Sequence, residues 1–328
     1  MSLRREILVM LAAVLTAALA VPAQAQTSRP AKPGAKPSPA PTQRGPEPDL
    51  AYAAYQRGRY LTAFAEATRR VESKGDPKAM ALLAELYANG YGVPLNEKKA
   101  AEWYKLAADR GDREAMFQLA LFRFTGRGGP RDPDEAVKLF AAAAKLGHPA
   151  AAYDLGLLYL EGQQFPQDFG RAAELFRAAA RAGSPEAQYA LATLYKEGRG
   201  VPQDVREAAR LLGAAATAGN PDAEVEYAIA LFNGTGVAKD EAAATALFLR
   251  SARRGSPIAQ NRLAHILARG RGAPADPVEA AKWHLIAKAG GNGDIWLDDF
   301  VFKLKPEERE AAQKAAKPWL DVIAAARP

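Results

Sequence analysis

The three histidines of this chain are the residues whose chemistry could serve catalysis or metal binding, and their spacing favours neither. His148, His265 and His284 form no pair with metal-ligand spacing, and no H-E-x-x-H motif is present. The 328 residues include no cysteine, which excludes disulfides, thiolate nucleophiles and cysteine-based metal sites. A G-x-S-x-G nucleophile motif is also absent. We therefore predict no enzyme activity, no cofactor and no metal site.

Glycine-rich loops are the second feature that resembles a chemical site. Gly198 and Gly200 lie in a G-x-G-V-P stretch, and spaced glycines of this kind can cradle phosphate groups. The stretch follows a predicted helix rather than a strand, and it lacks the lysine and the serine or threonine of a P-loop. We interpret these glycines as helix terminators and predict no nucleotide site.

Other glycines set the organisation of the chain, because seven of them recur at intervals of 36 residues. A period of roughly 20–50 residues is the signature of a repeat array. The glycines delimit six units, at residues 75–110, 111–146, 147–182, 183–218, 219–254 and 255–290. They are Gly75, Gly111, Gly147, Gly183, Gly219, Gly255 and Gly291.

The fourth unit shows how each copy is built. Ser184 is placed to cap the first helix, called helix A, and Pro185 occupies its first turn, where no N–H is needed. Gly198 tolerates the left-handed conformation that ends a helix. Asp204 then caps an alanine-rich second helix, called helix B. Each unit is therefore predicted to be a helical hairpin.

The full pattern reads A-x-x-x-L-x-x-x-Y-x-x-G-x-G-V-P-x-D, followed by A-A-x-x-L/W-Y/F-x-x-A-A-x-x-G, over residues 75–290. It resembles the Sel1-like repeat, a relative of the tetratricopeptide repeat with a longer loop between the helices. Arg123 replaces the tyrosine in the second unit, and Gln164-Phe165 replaces Gly-Val in the third loop. The resemblance implies an all-α fold, a right-handed α-solenoid that binds other proteins.

Atypical segments are expected at both ends, because the terminal units of a solenoid have one face in water. Residues 49–74 are predicted to form a helical hairpin in which Gly58 separates the helices. Residues 291–328 are predicted to form a helical cap that covers the last hydrophobic face. In this cap we expect Pro318 to interrupt a helix and Trp319 and Leu320 to fold back onto the stack.

The N-terminal residues 1–25 are typical of a signal peptide. Arg4 and Arg5 precede an apolar run, and Ala23-Gln24-Ala25 forms an A-x-A cleavage site. An uncleaved membrane anchor is the alternative, but the run is short for a spanning helix. No cysteine follows that could carry a lipid. We therefore expect a periplasmic or secreted protein that does not span the membrane after cleavage.

Residues 26–48 contain seven prolines and are predicted to be an extended linker. We favour a spacer, and a basic arm that contacts anionic envelope surfaces weakly is the alternative. The net charge is +7 and the isoelectric point about 9.4. Basic residues are mixed with acidic ones in every repeat, and no basic stripe alternates with aromatic residues. We therefore predict no nucleic-acid partner.

The predicted binding surface is the concave face, which helix A lines in tetratricopeptide arrays. An apolar stripe bordered by polar residues is expected to cross several repeats there, and such stripes mark interaction sites. For Phe117, Phe124 and Phe232 we favour binding, whereas packing against the next repeat is an equal alternative for Tyr153 and Tyr189. The predicted partner-binding residues are Phe117, Leu121, Phe124, Tyr153, Leu157, Leu160, Tyr189, Lys196, Val225, Ile229, Phe232 and His265.

These features predict a non-enzymatic scaffold of the bacterial cell envelope that holds a protein or peptide. The resemblance also suggests regulation of envelope signalling. A cell-wall protein whose linker binds an anionic polymer is the alternative. A penicillin-binding or β-lactamase-like hydrolase is a remote one, because the relatives for which it is reported are cysteine-rich and this chain has neither their cysteine pairs nor a catalytic serine arrangement.

Overall fold

The computed structural model describes residues 49–163 and 166–326. Within these ranges the chain forms sixteen α-helices and no strand, as the all-α prediction requires. The predicted signal peptide, the proline-rich linker and the Gln164-Phe165 substitution lie outside the described residues.

Successive helices pack in sequence order as antiparallel pairs, which makes the described chain an α-solenoid. The first pair is α1 (Leu50–Gln56) and α2 (Tyr60–Lys74). The chain ends with α15 (Ile295–Lys303) and α16 (Pro306–Ala325), which depart from this order because α16 packs on the last helix B and not on α15. The helices A between them are α3 (Pro77–Asn89), α5 (Arg113–Thr125), α7 (Pro149–Glu161), α9 (Pro185–Glu197), α11 (Pro221–Asn233) and α13 (Pro257–Arg269). The helices B are α4 (Glu97–Ala108), α6 (Pro133–Lys145), α8 (Phe169–Arg181), α10 (Val205–Thr217), α12 (Glu241–Arg253) and α14 (Pro277–Ala289).

Both ends of helix A follow the predicted local chemistry. In α9 the Ser184 hydroxyl accepts a hydrogen bond from the Ala187 N–H, and Gly198 ends the helix in the left-handed conformation. A polar side chain caps each of the six helices A in the same way, and a left-handed glycine ends each one. Because these ends recur in every unit, the helix lengths stay constant and the units stack in register.

Helix B also begins where the sequence predicts. The Asp204 carboxylate accepts hydrogen bonds from the N–H groups of Arg206 and Glu207. The Asp204 N–H in turn donates to the carbonyl of Tyr195, near the end of helix A, at 3.0 Å. All six units repeat this N–H to carbonyl bond, so the cap of helix B also closes the loop on helix A.

The second glycine of the loop has a role that the sequence pattern does not reveal. At Gly236, with φ +72°, a Cβ atom would overlap the Val205 carbonyl at the start of the preceding helix B. At Gly128 and Gly272 a Cβ atom would lie within 2.6 Å of the carbonyl oxygens of the first residues of α4 and α12. The loops of the second, fourth, fifth and sixth repeats thus contact the helix B of the repeat before them, and at these positions only glycine leaves room for the contact.

The core is built from alanines and several large side chains per hairpin, of which one lies at a constant position on helix B. Phe140, Phe176 and Phe248 occupy the same helix B position in their repeats and are at most 2% exposed. Gly156 lies on helix A opposite Phe176, where a Cβ would be within 2.6 Å of the ring. The alanines allow the close approach of helices that this arrangement needs.

The C-terminal helices differ from the prediction at one point. Helix α16 continues through Pro318 without a break, so the predicted interruption is wrong. Proline removes one backbone donor to the Lys314 carbonyl, but both residues are exposed, so water can hydrate that carbonyl. Trp319 still packs against the stack, in an edge-to-face contact with Trp283 at a centroid distance of 5.6 Å.

Candidate binding surface

The side of helix A that carries the predicted partner-binding residues is called the helix A face here. It is defined by the second, fifth, sixth, ninth, twelfth and thirteenth residues of each helix A. Thr125, Glu197 and Asn233, at the thirteenth position, are exposed. Half-buried apolar residues occupy the ninth and twelfth positions in three repeats: Leu121, Phe124, Leu157, Leu160, Ile229 and Phe232. A stripe of partly exposed apolar side chains with polar neighbours therefore runs along these repeats.

Two predicted surface residues belong to the core instead. Phe117 is 5% exposed and Val225 is 7% exposed. The Phe117 ring stacks on His148 of the next repeat at a centroid distance of 4.5 Å and packs on Phe140 at 5.9 Å. The fifth position of helix A turns toward the following hairpin, so residues there are covered. Assigning Phe117 and Val225 to an accessible surface was wrong.

The tyrosines at this same position are half-buried. Tyr153 packs on Phe176 at 5.6 Å and on a cluster that includes Ala187 of the following repeat. Burial, with smaller effects from the Asp154 and Glu186 carboxylates, raises the pKa of Tyr153 to about 12. Tyr189 packs against a core cluster that includes Phe176 of the preceding repeat and Ala223 of the following one. Packing, one of the two alternatives for these residues, therefore accounts for part of both side chains.

Lys196 is exposed and pairs with Glu226 of the next helix A, with Nζ 2.9 Å from the carboxylate. At the next junction along the array the corresponding residues are Phe232 and Arg262, which form no ion pair. The junction between α11 and α13 therefore has an aromatic ring and a guanidinium in place of the salt bridge, and a gap lies beside it.

That gap is a cavity of about 320 Å³ between the fifth and sixth repeats. Three of the predicted residues line it, namely Ile229, Phe232 and His265. The complete lining is Ile229, Phe232, Asn233, Phe248, Arg262, His265, Ile266, Arg269 and Arg271. The cavity therefore has an apolar floor and three arginines at its rim.

His265 is held in place by the C-terminal cap. Its Nε2 lies 3.0 Å from the Asp294 carboxylate, and its ring stacks on Trp296 at 5.1 Å. Burial alone would raise the pKa of Asp294, but hydrogen bonds from Leu297 N–H and from His265 outweigh it and lower the pKa. Arg269 lies over the same Trp296 ring at 4.3 Å. The rim of the cavity is thus continuous with the first helix of the cap.

Comparison with known proteins identifies the architecture. Six consecutive matches to the Sel1 repeat model cover residues 77–112, 113–148, 149–184, 185–220, 221–256 and 257–292. The chain belongs to the Sel1 repeat family. The matched Sel1 repeats begin two residues after the glycines used above to delimit the units.

Solved Sel1 structures have the same fold. A Sel1 repeat protein from Oxalobacter formigenes is 29% identical, with a TM-score of 0.62, over 73% of this chain and 98% of that one. A protective antigen of uropathogenic Escherichia coli, described as having an SLR fold, is 24% identical, with a TM-score of 0.57, over 84% of this chain and 68% of that one. No curated protein matches the chain. Sel1 repeat proteins are typically protein-interaction scaffolds, which is consistent with a non-enzymatic binding role.

The other two histidines have structural roles in the Sel1 hairpins. The Nδ1 atom of His148 accepts from the Ala151 N–H, as a helix cap, and Nε2 lies 3.0 Å from Glu114. The hydrogen bond with His148 is the main cause of the lowered pKa of Glu114. His284 is buried, and its Nε2 lies 2.8 Å from Asp298. Over residues 49–163 and 166–326 no group of three ligand-type side chains could hold a metal, and no helix is long and apolar enough to cross a membrane.

The Asp154 carboxylate on the helix A face has a raised pKa. Asp154 follows Tyr153 on α7 and makes no hydrogen bond or ion pair with any residue that the structure describes. Burial raises its pKa from 3.8 to about 7. The corresponding residue two Sel1 repeats later is Glu226, which pairs with Lys196. This part of the face is therefore neutral or charged depending on pH near neutrality.

The sequence-based prediction missed the three arginines of the cavity, Arg262, Arg269 and Arg271. A signal for them exists: α13 contains no acidic residue, whereas each of the other five helices A contains at least one. Two of these arginines lie in α13 and the third follows in its loop. Comparing charge between equivalent Sel1 helices would have singled out the sixth repeat.

Proposed function

We propose that this Sel1 array is a non-enzymatic scaffold that binds a partner protein or peptide along the helix A face. The observation that carries the proposal is the stripe of half-buried apolar side chains with exposed polar neighbours, which leads into the cavity between the fifth and sixth repeats. Exposed apolar surface of this kind marks interaction sites, and solenoids use such extended faces. The interaction role typical of Sel1 proteins supports the same assignment.

The bacterial cell envelope is the compartment we propose for this interaction. The support is the arrangement of Arg4, Arg5, the apolar run and the A-x-A site. Regulation of envelope signalling is a further part of the proposal, and it rests on the Sel1 resemblance alone. Intact mass measurement of the protein from the periplasmic fraction should give a chain that starts at Gln26, and an unprocessed mass would contradict export by a cleaved signal.

Large charged side chains introduced on the helix A face should abolish partner binding. The test variant carries Thr125→Arg, Glu197→Arg and Asn233→Arg, which place three large side chains along the stripe and add four positive charges. All three positions are exposed, so folding should be retained. The measurement is the yield of partner that copurifies after in-cell crosslinking, quantified by mass spectrometry.

The matched control carries Glu102→Arg, Ala178→Arg and Ala246→Arg on exposed helix B positions and adds the same four charges. Its partner yield should equal that of the wild type. Equal losses in both variants, or no loss in either, would contradict binding on the helix A face. Circular dichroism melting curves of all three proteins should coincide within a few degrees, which separates lost binding from lost structure.

A further inference from the structure

The cavity between the fifth and sixth repeats has positive charge that the chain itself does not neutralise. Arg262 and Arg269 line it and form no ion pair within the described residues. Arg269 lies over the Trp296 ring with its guanidinium carbon 4.3 Å from the centroid, a contact that uses no N–H to carboxylate hydrogen bond. Arg271 pairs with Glu241 and lies over the Phe232 ring at 5.0 Å. Fork-shaped guanidinium groups at such a rim match the geometry of a carboxylate or phosphate.

The floor of the cavity is apolar, so the cavity offers a ligand an apolar surface as well as positive charge. Ile229, Phe232, Phe248 and Ile266 line it below the arginines. A volume of about 320 Å³ accommodates one or two aliphatic side chains and not a large cofactor. The complementary ligand therefore has an anionic group beside a small apolar group.

Acidic residues around the cavity limit how long an anionic ligand can be. Asp222 and Glu226 lie on α11 outside the lining, and Asp294 bonds to His265 beside the cavity. A nucleic acid or another extended polyanion would extend past the arginines and meet these carboxylates. A short acidic stretch with uncharged neighbours would not, so the charge pattern favours a polypeptide.

We propose that this cavity binds an acidic segment of the partner protein, with a carboxylate on Arg262 and Arg269 and a neighbouring aliphatic side chain on Ile229 and Phe232. The proposal rests on the scaffold function proposed above and adds the chemistry of the bound segment. Because α13 is the one helix A that lacks acidic residues, we expect the acidic segment to bind at the C-terminal end of the helix A face.

The test uses a fluorescein-labelled nonapeptide, Gly-Glu-Leu-Glu-Gly-Glu-Leu-Glu-Gly, and the same peptide with glutamine in place of glutamate. Fluorescence anisotropy at low ionic strength measures binding to the mature chain. The glutamate peptide should bind at least about tenfold more tightly than the glutamine peptide. The variant Arg262→Gln/Arg269→Gln should weaken glutamate-peptide binding by about tenfold or more. The single variant Arg262→Gln, which leaves the Trp296 contact intact, should weaken it by about threefold or more.

A matched control removes two exposed arginines elsewhere, Arg181→Gln and Arg253→Gln at the ends of α8 and α12. Its affinity should stay within about twofold of the wild type. The proposal is overturned if the two peptides bind equally tightly, or if the test and control variants have equal effects. It is also overturned if a ten-nucleotide oligothymidine binds more tightly than the glutamate peptide. If any of these results is obtained while the variant Thr125→Arg/Glu197→Arg/Asn233→Arg still loses its partner, the proposal of an acidic segment is wrong and the proposed scaffold function stands.

Discussion

Replacing Asp154 with asparagine should stabilise the array at alkaline pH and have little effect in acid. Burial shifts the pKa of this carboxyl from 3.8 to about 7. A shift of this size corresponds to at most about 4 kcal/mol of destabilisation once the group is ionised in the folded state. Asparagine has nearly the same shape and no charge, so the variant avoids this cost. The melting temperature should rise by roughly 5–10 °C at pH 8.

The sign of the pH dependence follows from the raised pKa. The unfolded chain releases this proton near pH 4 and the folded chain near pH 7, so the folded state holds the extra proton between these values. The contribution of Asp154 to stability is therefore complete below about pH 4 and is lost as the pH rises through about 7. The advantage of the variant should shrink steadily from pH 8 to pH 4.

Differential scanning calorimetry of both proteins at pH values from 4.5 to 8 measures this difference directly. The control variant is Glu102→Gln, which removes an exposed carboxylate on α4 and should show no pH-dependent difference from the wild type. The reasoning is refuted if the melting temperatures of Asp154→Asn and wild type differ by the same amount at pH 4.5 and pH 8, or if the variant is less stable at pH 8.

Two further predictions concern packing. Gly236→Ala should reduce the free energy of unfolding by at least about 3 kcal/mol, because its Cβ would overlap a helix carbonyl, whereas Gly219→Ala, also at positive φ but in open space, should cost only about 1–2 kcal/mol. Urea denaturation separates the two, and equal costs would show that the loop contact is not tight. Phe117→Ser should reduce the free energy of unfolding by about 3–5 kcal/mol, because the ring is buried against His148. A variant with unchanged urea stability would show that this ring is a surface residue after all.

The hairpins, their ends and their stacking order were predictable, because they depend on local chemistry that every unit repeats. Ser184, Gly198 and Asp204 each specify their position through a cap or a backbone conformation, whatever surrounds them. The contact made by Gly236 was not predictable, because it depends on how closely one repeat approaches the helix B of the repeat before it. Sequence periodicity alone carries no information about that distance.

The candidate site was harder to predict for a geometric reason. The fifth position of helix A lies at the boundary between surface and core, so the packing of the next hairpin decides whether Phe117 and Val225 are covered. The apolar side chains at the ninth and twelfth positions lie farther from this boundary and are half-buried. The arginines of the cavity are distinctive only when the charges of all six helices A are compared, because the packing pattern within one repeat does not depend on them.

The helix A face carries the central claim, and site-specific photocrosslinking in cells tests it most directly. A photoreactive amino acid would be placed at Thr125, Glu197 or Asn233 on this face, and at Glu102 or Ala246 on exposed helix B positions. We expect the same protein adduct from the three helix A positions and no adduct from the two helix B positions. An adduct that forms from helix B and not from helix A would contradict the claim.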